Sequence, residues 1–242
     1  MEFIVMELTF LGRGAGFNPA EGSTAAYFLD NSELFLIDSG ESIFKTLLEK
    51  KTLDSASALN ILFTHTHSDH VGSLGSLLLY ASVAKKFKTK IISDETMAFA
   101  PQISALLKIY GVTERMYQFV NSSAFDDRYS QFNRFRYIKT FHCNELESCA
   151  IIFETNSGLV FYSGDMKDPS PLMELVRSGK QIDKIYIDSN NDPNPNPYHV
   201  TLKEIYDIVP PELRQNIYCM HFNSAQCIQD ALALGFKVVE NI

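Results

Sequence analysis

Apolar positions fall in short blocks along most of the chain, and turn-forming residues separate them. Residues 25–29 and 34–37 are apolar and flank Asp30-Asn31-Ser32-Glu33, which predicts a β-hairpin. Residues 3–11 read as an earlier strand, stopped by Gly12-Arg13-Gly14-Ala15-Gly16. A helix is expected over 42–50 and a buried strand over 59–63. Val71, Leu74, Leu78 and Ala81 then recur at helical spacing, with Lys85 and Lys86 where cations offset the helix dipole. Gly72 and Gly75 weaken that helix by about 1 kcal/mol each relative to Ala, so close packing is expected in return. A strand over 90–93 and a helix over 97–110 follow.

Residues 150–154 and 159–163 pair across Thr155-Asn156-Ser157-Gly158, a second hairpin, with a strand over 135–141 before it. Helices over 172–178, 202–209 and 225–234 then alternate with strands over 184–187, 217–220 and 237–239. Early hairpins, central hairpins and helix–strand alternation suit two sheets between helices. Two stretches admit two readings. The glycine-rich turn at 12–16 looks like a phosphate loop, but no Lys-Ser/Thr pair follows, which favours a tight turn beside a site. Residues 111–137 interleave Tyr117, Phe119, Phe125, Tyr129, Phe132, Phe135 and Tyr137 with Arg128, Arg134 and Arg136. They read either as a base-stacking platform or, more simply, as an antiparallel sheet edge.

With 242 residues, 45% of them hydrophobic, the chain is expected to form a single domain over 1–242. A formal net charge of −8 argues against broad electrostatic binding to nucleic acid. Cys143, Cys149, Cys219 and Cys227 show no C-x-x-C spacing, so free thiols in a reducing compartment are expected. The first residues carry no secretion signal, and no apolar run approaches the ~18 residues of a membrane span. A soluble, cytoplasmic protein without membrane contact is the expectation.

Three of the six histidines sit in Thr64-His65-Thr66-His67-Ser68-Asp69-His70, directly after the 59–63 strand. Imidazole is the commonest side-chain ligand for zinc, and a carboxylate adds charge for a second cation. Extended alternation would send His65, His67 and Asp69 to one side and leave His70 to start the next helix. The string His65-x-His67-x-Asp69-His70 resembles the signature of the metallo-β-lactamase superfamily of metal-dependent hydrolases. That resemblance implies an αββα four-layer sandwich, an α/β fold with two mixed β-sheets packed between helices.

His142, Asp165 and His221 each follow a predicted strand, where a rigid sheet fixes side chains while loops leave them accessible. By the superfamily's pattern His65, His67 and His142 would hold one metal, Asp69, His70 and His221 a second, and Asp165 would bridge them. Phe161-Tyr162-Ser163-Gly164-Asp165 also matches the superfamily's Gly-Asp form. Two divalent cations about 3.5–4 Å apart can share a hydroxide and supply a nucleophile near neutral pH. Zn2+ is the first expectation for both, with Mn2+ or Fe acceptable to the carboxylates.

Within the superfamily, Phe10–Gly16, Leu36-Ile37-Asp38-Ser39-Gly40-Glu41 and His199-x-Thr201 look like ribonuclease Z and its relatives. The resemblance implies that His199 stabilises the phosphate or protonates the leaving oxygen, oriented by Asp188. Asp188 stands where that branch usually carries Glu, a shorter reach. Thr201-x-x-Glu204 is a capping box placing His199 just ahead of a helix, and Pro193, Pro195 and Pro197 stiffen the approach. Asp38 reads equally as an orienting group behind a ligand or as a turn residue.

The candidate catalytic residues are Asp69, His199 and Asp188, with Asp69 also a metal ligand. No Gly/Pro-rich basic arm of the tRNA-gripping kind is evident, which disfavours tRNA. The expected activity is a dinuclear phosphodiesterase acting on a small-molecule or nucleic-acid phosphodiester, with a homodimer left open. Hydrolysis of a small ester, thioester or lactone is the alternative, and a non-catalytic metal- or ligand-binding module the second.

Overall fold

The first hairpin lies where the turn formers put it: β2 (Ala25–Asp30) and β3 (Glu33–Ile37) pair antiparallel, and β1 (Thr9–Gly12) joins the β2 side. This computed structural model describes residues 6–94, 97, 99–192 and 196–242. The sheet continues in parallel through β4 (Ala58–Leu62), β5 (Thr89–Ser93) and β6 (Tyr117–Asn121). β3 and β4 are apolar over most of their length because parallel interior strands are covered on both faces. Of the expected strand over 3–11, only Thr9–Leu11 is extended among the described residues. Residues 3–5 lie outside them.

A second six-stranded sheet runs β12-β11-β10-β9-β8-β7. Its strands are β7 (Arg134–Thr140), β8 (Ser148–Glu154), β9 (Leu159–Tyr162), β10 (Ile182–Asp188), β11 (Ile217–Met220) and β12 (Lys237–Val238). β7, β8 and β9 are antiparallel, and β9 to β12 are parallel. The two sheets face each other: Phe10 stacks on Tyr162 with ring centroids 6.4 Å apart, and Phe28 meets Phe153 edge-on at 5.7 Å.

Helices α1 (Ile43–Glu49), α2 (Ser68–Val71), α3 (Leu74–Val83) and α4 (Phe99–Ile109) connect the strands of the first sheet. Ile43, Leu47, Leu77, Leu78, Ile103 and Leu107 bury its outer face. Helices α5 (Ser170–Arg177), α6 (Leu202–Ile208) and α7 (Ala225–Ala233) cover the second through Leu172, Ile205 and Ile228. This is the αββα sandwich. The helix expected over 97–110 is shorter at both ends, and the one after the histidines divides into α2 and α3.

The two open readings are settled. Along β7 Phe135 and Tyr137 are buried while Arg134 and Arg136 are exposed, and Phe125 and Phe132 are buried too. With most of its rings packed in the core, this stretch is made of sheet edges, antiparallel as expected in β7 but parallel in β6, with its arginines on the exposed side. The turn at 12–16 leads to a 3-10 turn rather than a phosphate-binding helix, and it lies against Asp69. Among the described residues, no helix is long and apolar enough to cross a membrane.

Candidate metal centre

The strand tips bring all seven candidate ligands together. β4 ends at Leu62, and the turn after it carries His65 and His67 before α2 begins at Ser68. His142 follows β7 by two residues, Asp165 follows β9 by three, and His221 follows β11 directly. The corresponding atoms form two groups, each with its members within 4.8 Å of one another. His65, His67, His142 and Asp165 make the first; Asp69, His70, Asp165 and His221 make the second.

Asp165 serves both groups with different oxygens. Its Oδ2 lies 3.7 Å from His65 Nε2 and 3.7 Å from His142 Nε2. Its Oδ1 lies 3.2 Å from His70 Nε2 and 3.3 Å from His221 Nε2. Asp69 Oδ2 completes the second group, 3.4 Å from both of those nitrogens. In the first group His67 Nδ1 is 3.0 Å from His65 Nε2 and 3.3 Å from His142 Nε2.

The donor set fits divalent cations. Zinc–nitrogen bonds of ~2.0–2.1 Å in a tetrahedron put neighbouring donors roughly 3.3 Å apart, close to the separations here. Asp165 Oδ1 and His70 Nε2 are buried with no hydrogen-bond partner, and both belong to the second group. Buried polar atoms are normally satisfied, and a shared cation satisfies these at once.

Two of the rings are steered from behind by hydrogen bonds. His70 Nδ1 donates to Asp38 Oδ2 at 2.9 Å, and Asp38 also accepts from the Thr64 amide and hydroxyl at 2.8 Å each. Asp38 is therefore an orienting group, and the turn role goes unused, since the residue before α1 is Ser42. His142 Nδ1 donates to the Tyr198 carbonyl at 2.8 Å. His221 Nδ1 sits 3.3 Å from Asp188 Oδ1, outside hydrogen-bond geometry. Asp38 and His221 adopt left-handed backbone, φ +64° and +58°, a conformation that costs on the order of 1–3 kcal/mol in non-glycine residues. Gly40 makes room for the turn: a Cβ there would meet the Asp69 carbonyl oxygen at 1.8 Å.

Asp188, the last residue of β10, is fully buried and joins two parts of the site. Its Oδ2 accepts from His199 Nδ1 at 2.8 Å and from the Met166 amide at 3.1 Å. The shorter aspartate thus reaches His199. His199 stands two residues before the N-cap Thr201, whose capping box with Glu204 is present. Burial disfavours the charged His199 ring, but the Asp188 charge outweighs it and raises the pKa above the ordinary value. Of the prolines ahead of it, Pro193 and Pro195 lie outside the described residues.

The site opens into a cleft of about 670 Å³ lined by His67, Asp69, His142, Asp165, His199 and His221, among others. Four carboxylates line it: Asp69, Glu145, Asp165 and Asp192. Among the described lining residues there is no Lys or Arg.

A family model described as "Anti-Pycsar protein Apyc1" matches residues 6–237. The chain belongs to the Apyc1 family. An Anti-Pycsar protein Apyc1 from Bacillus phage 010DV004 is 40% identical over 77 residues. That match spans 31% of this chain and 29% of the relative's length. Solved structures agree with this Apyc1 family member in fold. The metallo-β-lactamase fold protein YhfI from Bacillus subtilis has a TM-score of 0.70 and 16% identity, covering 96% of this chain and 94% of its own. A diphosphatase from the PhnP family gives 0.68 and 17%, with 97% and 94% covered. The short form of human tRNase Z gives 0.66 and 17%, with 97% and 96% covered.

The superfamily resemblance is thus borne out, and the Apyc1 family is a finer placement than the motifs gave. One local expectation fails. Asp69 does not share an extended face with His65 and His67; it lies inside α2, whose helical turn swings it to the second group. Tyr198, Phe17 and the asparagines 190, 196 and 223, all lining the cleft, carried no motif.

Proposed function

We propose that this protein is a single-domain, metal-dependent phosphodiesterase over residues 1–242 that opens cyclic nucleotides with two divalent cations, most simply Zn2+. Three lines support the substrate class. The anti-Pycsar name of the family points to a cyclic nucleotide, structural neighbours include a tRNase Z and a PhnP-family diphosphatase, and the cleft has small-molecule volume. The observation that carries the reading is the pair of His/Asp groups sharing the two oxygens of Asp165 beneath one cleft.

His65, His67, His142 and Asp165 would hold one cation; Asp69, His70, His221 and Asp165 the other. Cations so held would lower the pKa of water and draw charge from the phosphoryl oxygens. A cleft with four carboxylates and no described Lys or Arg suits an anionic substrate only when cations offset that charge. The same absence of a basic track disfavours a long RNA.

In the reaction a water oxygen bonds to phosphorus and gives up a proton to solvent, the ring P–O bond breaks, and the departing sugar oxygen takes up a proton. His199 would give that proton. Its Nδ1 is committed to Asp188, whose charge raises its pKa and so favours the protonated ring, and Nε2 remains for the cleft. Asp188 holds the ring and stabilises its positive charge.

The test is metal analysis combined with a substrate panel. About two metals per chain and turnover of nucleoside 3′,5′-cyclic monophosphates are expected. Turnover of a thioester or lactone instead, with no diester cleaved, would replace the reading.

A further inference from the structure

Phe17 is 104% exposed, beyond an extended reference, yet the loop that carries it is tightly held. The Ala15 amide donates to the Phe222 carbonyl at 3.0 Å, and Asn18 Nδ2 donates to the same oxygen at 2.9 Å. The Asn18 amide closes the turn on the Ala15 carbonyl at 2.8 Å, and Thr24 Oγ1 donates to the Gly14 carbonyl at 3.0 Å. Next to Phe17, Gly16 lies so near the metal centre that a Cβ would stand 3.0 Å from Asp69 Oδ2. A held backbone therefore carries a large, fully exposed apolar ring at the wall of the cleft, on the side of the second ligand group.

Tyr198 is its counterpart on the side of the first. Its carbonyl accepts from His142, its ring centroid lies 6.3 Å from the His142 ring, and it is 53% exposed. Both rings line the same cleft. A single exposed aromatic needs no explanation. Two of them, each tied through backbone to a different group of candidate ligands, present flat apolar faces where a substrate enters.

We propose that Phe17 and Tyr198 are the base-binding walls of this site, stacking on the heterocyclic base of a nucleotide whose phosphate lies over Asp165. The assignment rests on the phosphodiesterase reading and names the part of the substrate that the metal centre does not touch. Stacking uses the π-face that every base has, so these walls favour nucleotides over base-free diesters and discriminate little among bases.

The experiment compares wild type with Phe17→Ala and Phe17→Tyr, all metal-loaded. Turnover is measured on a nucleoside 3′,5′-cyclic monophosphate and on base-free ribose 3′,5′-cyclic phosphate. Calorimetry measures affinity for a nonhydrolysable phosphorothioate analogue of the nucleotide, and sedimentation gives the mass. Phe17→Ala should raise KM for the nucleotide and weaken analogue binding about tenfold, within the range for one lost stacking face. Its kcat, its turnover of the base-free diester and its mass should stay at wild-type values, and Phe17→Tyr should restore binding. Equal losses on both substrates, no loss on either, or a loss that follows a change in mass would overturn the assignment, the last making Phe17 a contact between copies. If wild type binds the analogue through Phe17 but cleaves neither diester, the walls stand and the catalytic reading falls. If wild type does not bind the analogue, both fall.

Discussion

The two ligand groups share a carboxylate yet differ in charge. The first contains three imidazoles and Asp165. Burial and neighbouring imidazoles, His70 for one ring and His142 for the other, hold His65 well below and His67 below the ordinary histidine pKa. The second contains two carboxylates, with a third and fourth behind it in Asp38 and Asp188. Burial again disfavours charge there, but Asp165 and Asp38 push His70 well above the ordinary value, and Asp165 and Asp188 push His221 to about 10. The lowered pKa values of His65 and His67 favour the neutral rings that ligate a cation. The raised pKa values of His70 and His221 favour protonated rings, which must lose a proton to ligate a cation. Placing carboxylates behind imidazoles strengthens a ligand and ties its affinity to pH.

The largest expected effect abolishes the distinction. Asp165→Asn withdraws charge from both groups, and metal content should fall from about two per chain toward zero. Turnover should fall by at least about 100-fold, the scale of losing one strong electrostatic contact in an active site. Retention of one full equivalent of metal would show that the groups do not share Asp165. His199→Ala comes next and spares both groups: kcat should drop by about 10²–10⁴-fold with metal content unchanged. Parallel loss of metal would make His199 a ligand.

Asp38→Asn should divide the two groups. It removes the charge behind His70 alone, so affinity for the second equivalent should fall by about 10–100-fold while the first stays put. Stepwise calorimetric titration reads both, and an equal fall in both steps would sink the comparison. The smallest effect is on stability. In chelated protein the raised pKa of His221 contributes stability that is complete below its ordinary 6.5 and lost as pH rises toward 10. The lowered pKa values of Asp69 and Asp165 contribute stability that is complete above their ordinary 3.8 and lost in acid. Metal binding releases the histidine protons, so the Tm gap between loaded and chelated protein should widen from pH 6 to pH 9. A gap that stays flat or narrows would contradict it.

The ligand set was implied by the resemblance, and the scarcity of histidine and the place of His142, Asp165 and His221 after strands supported it. The position of Asp69 was not legible: alternation assumes extended backbone, and only the structure shows α2 beginning at Ser68. Asp38 stayed ambiguous because a carboxylate after a strand serves a turn as readily as an imidazole. Its left-handed backbone, which aims it at His70, leaves no compositional mark. The two-sheet sandwich was implied by resemblance and the hairpins by their turns. Phe17 escaped notice because one Phe beside three glycines has no periodicity, and its meaning comes from loop contacts more than 200 residues away in sequence.

The acidic wall of the cleft also bears on how a catalytic cycle ends. Opening a cyclic diester yields a monoester that carries an additional negative charge near neutral pH. With no described ammonium or guanidinium group in the cleft, such a product would be held only by cations at the strand tips, against the charge of Glu145 and Asp192. Retention of the monoester by such a site would rest on its cations alone, so inhibition by product should follow metal occupancy.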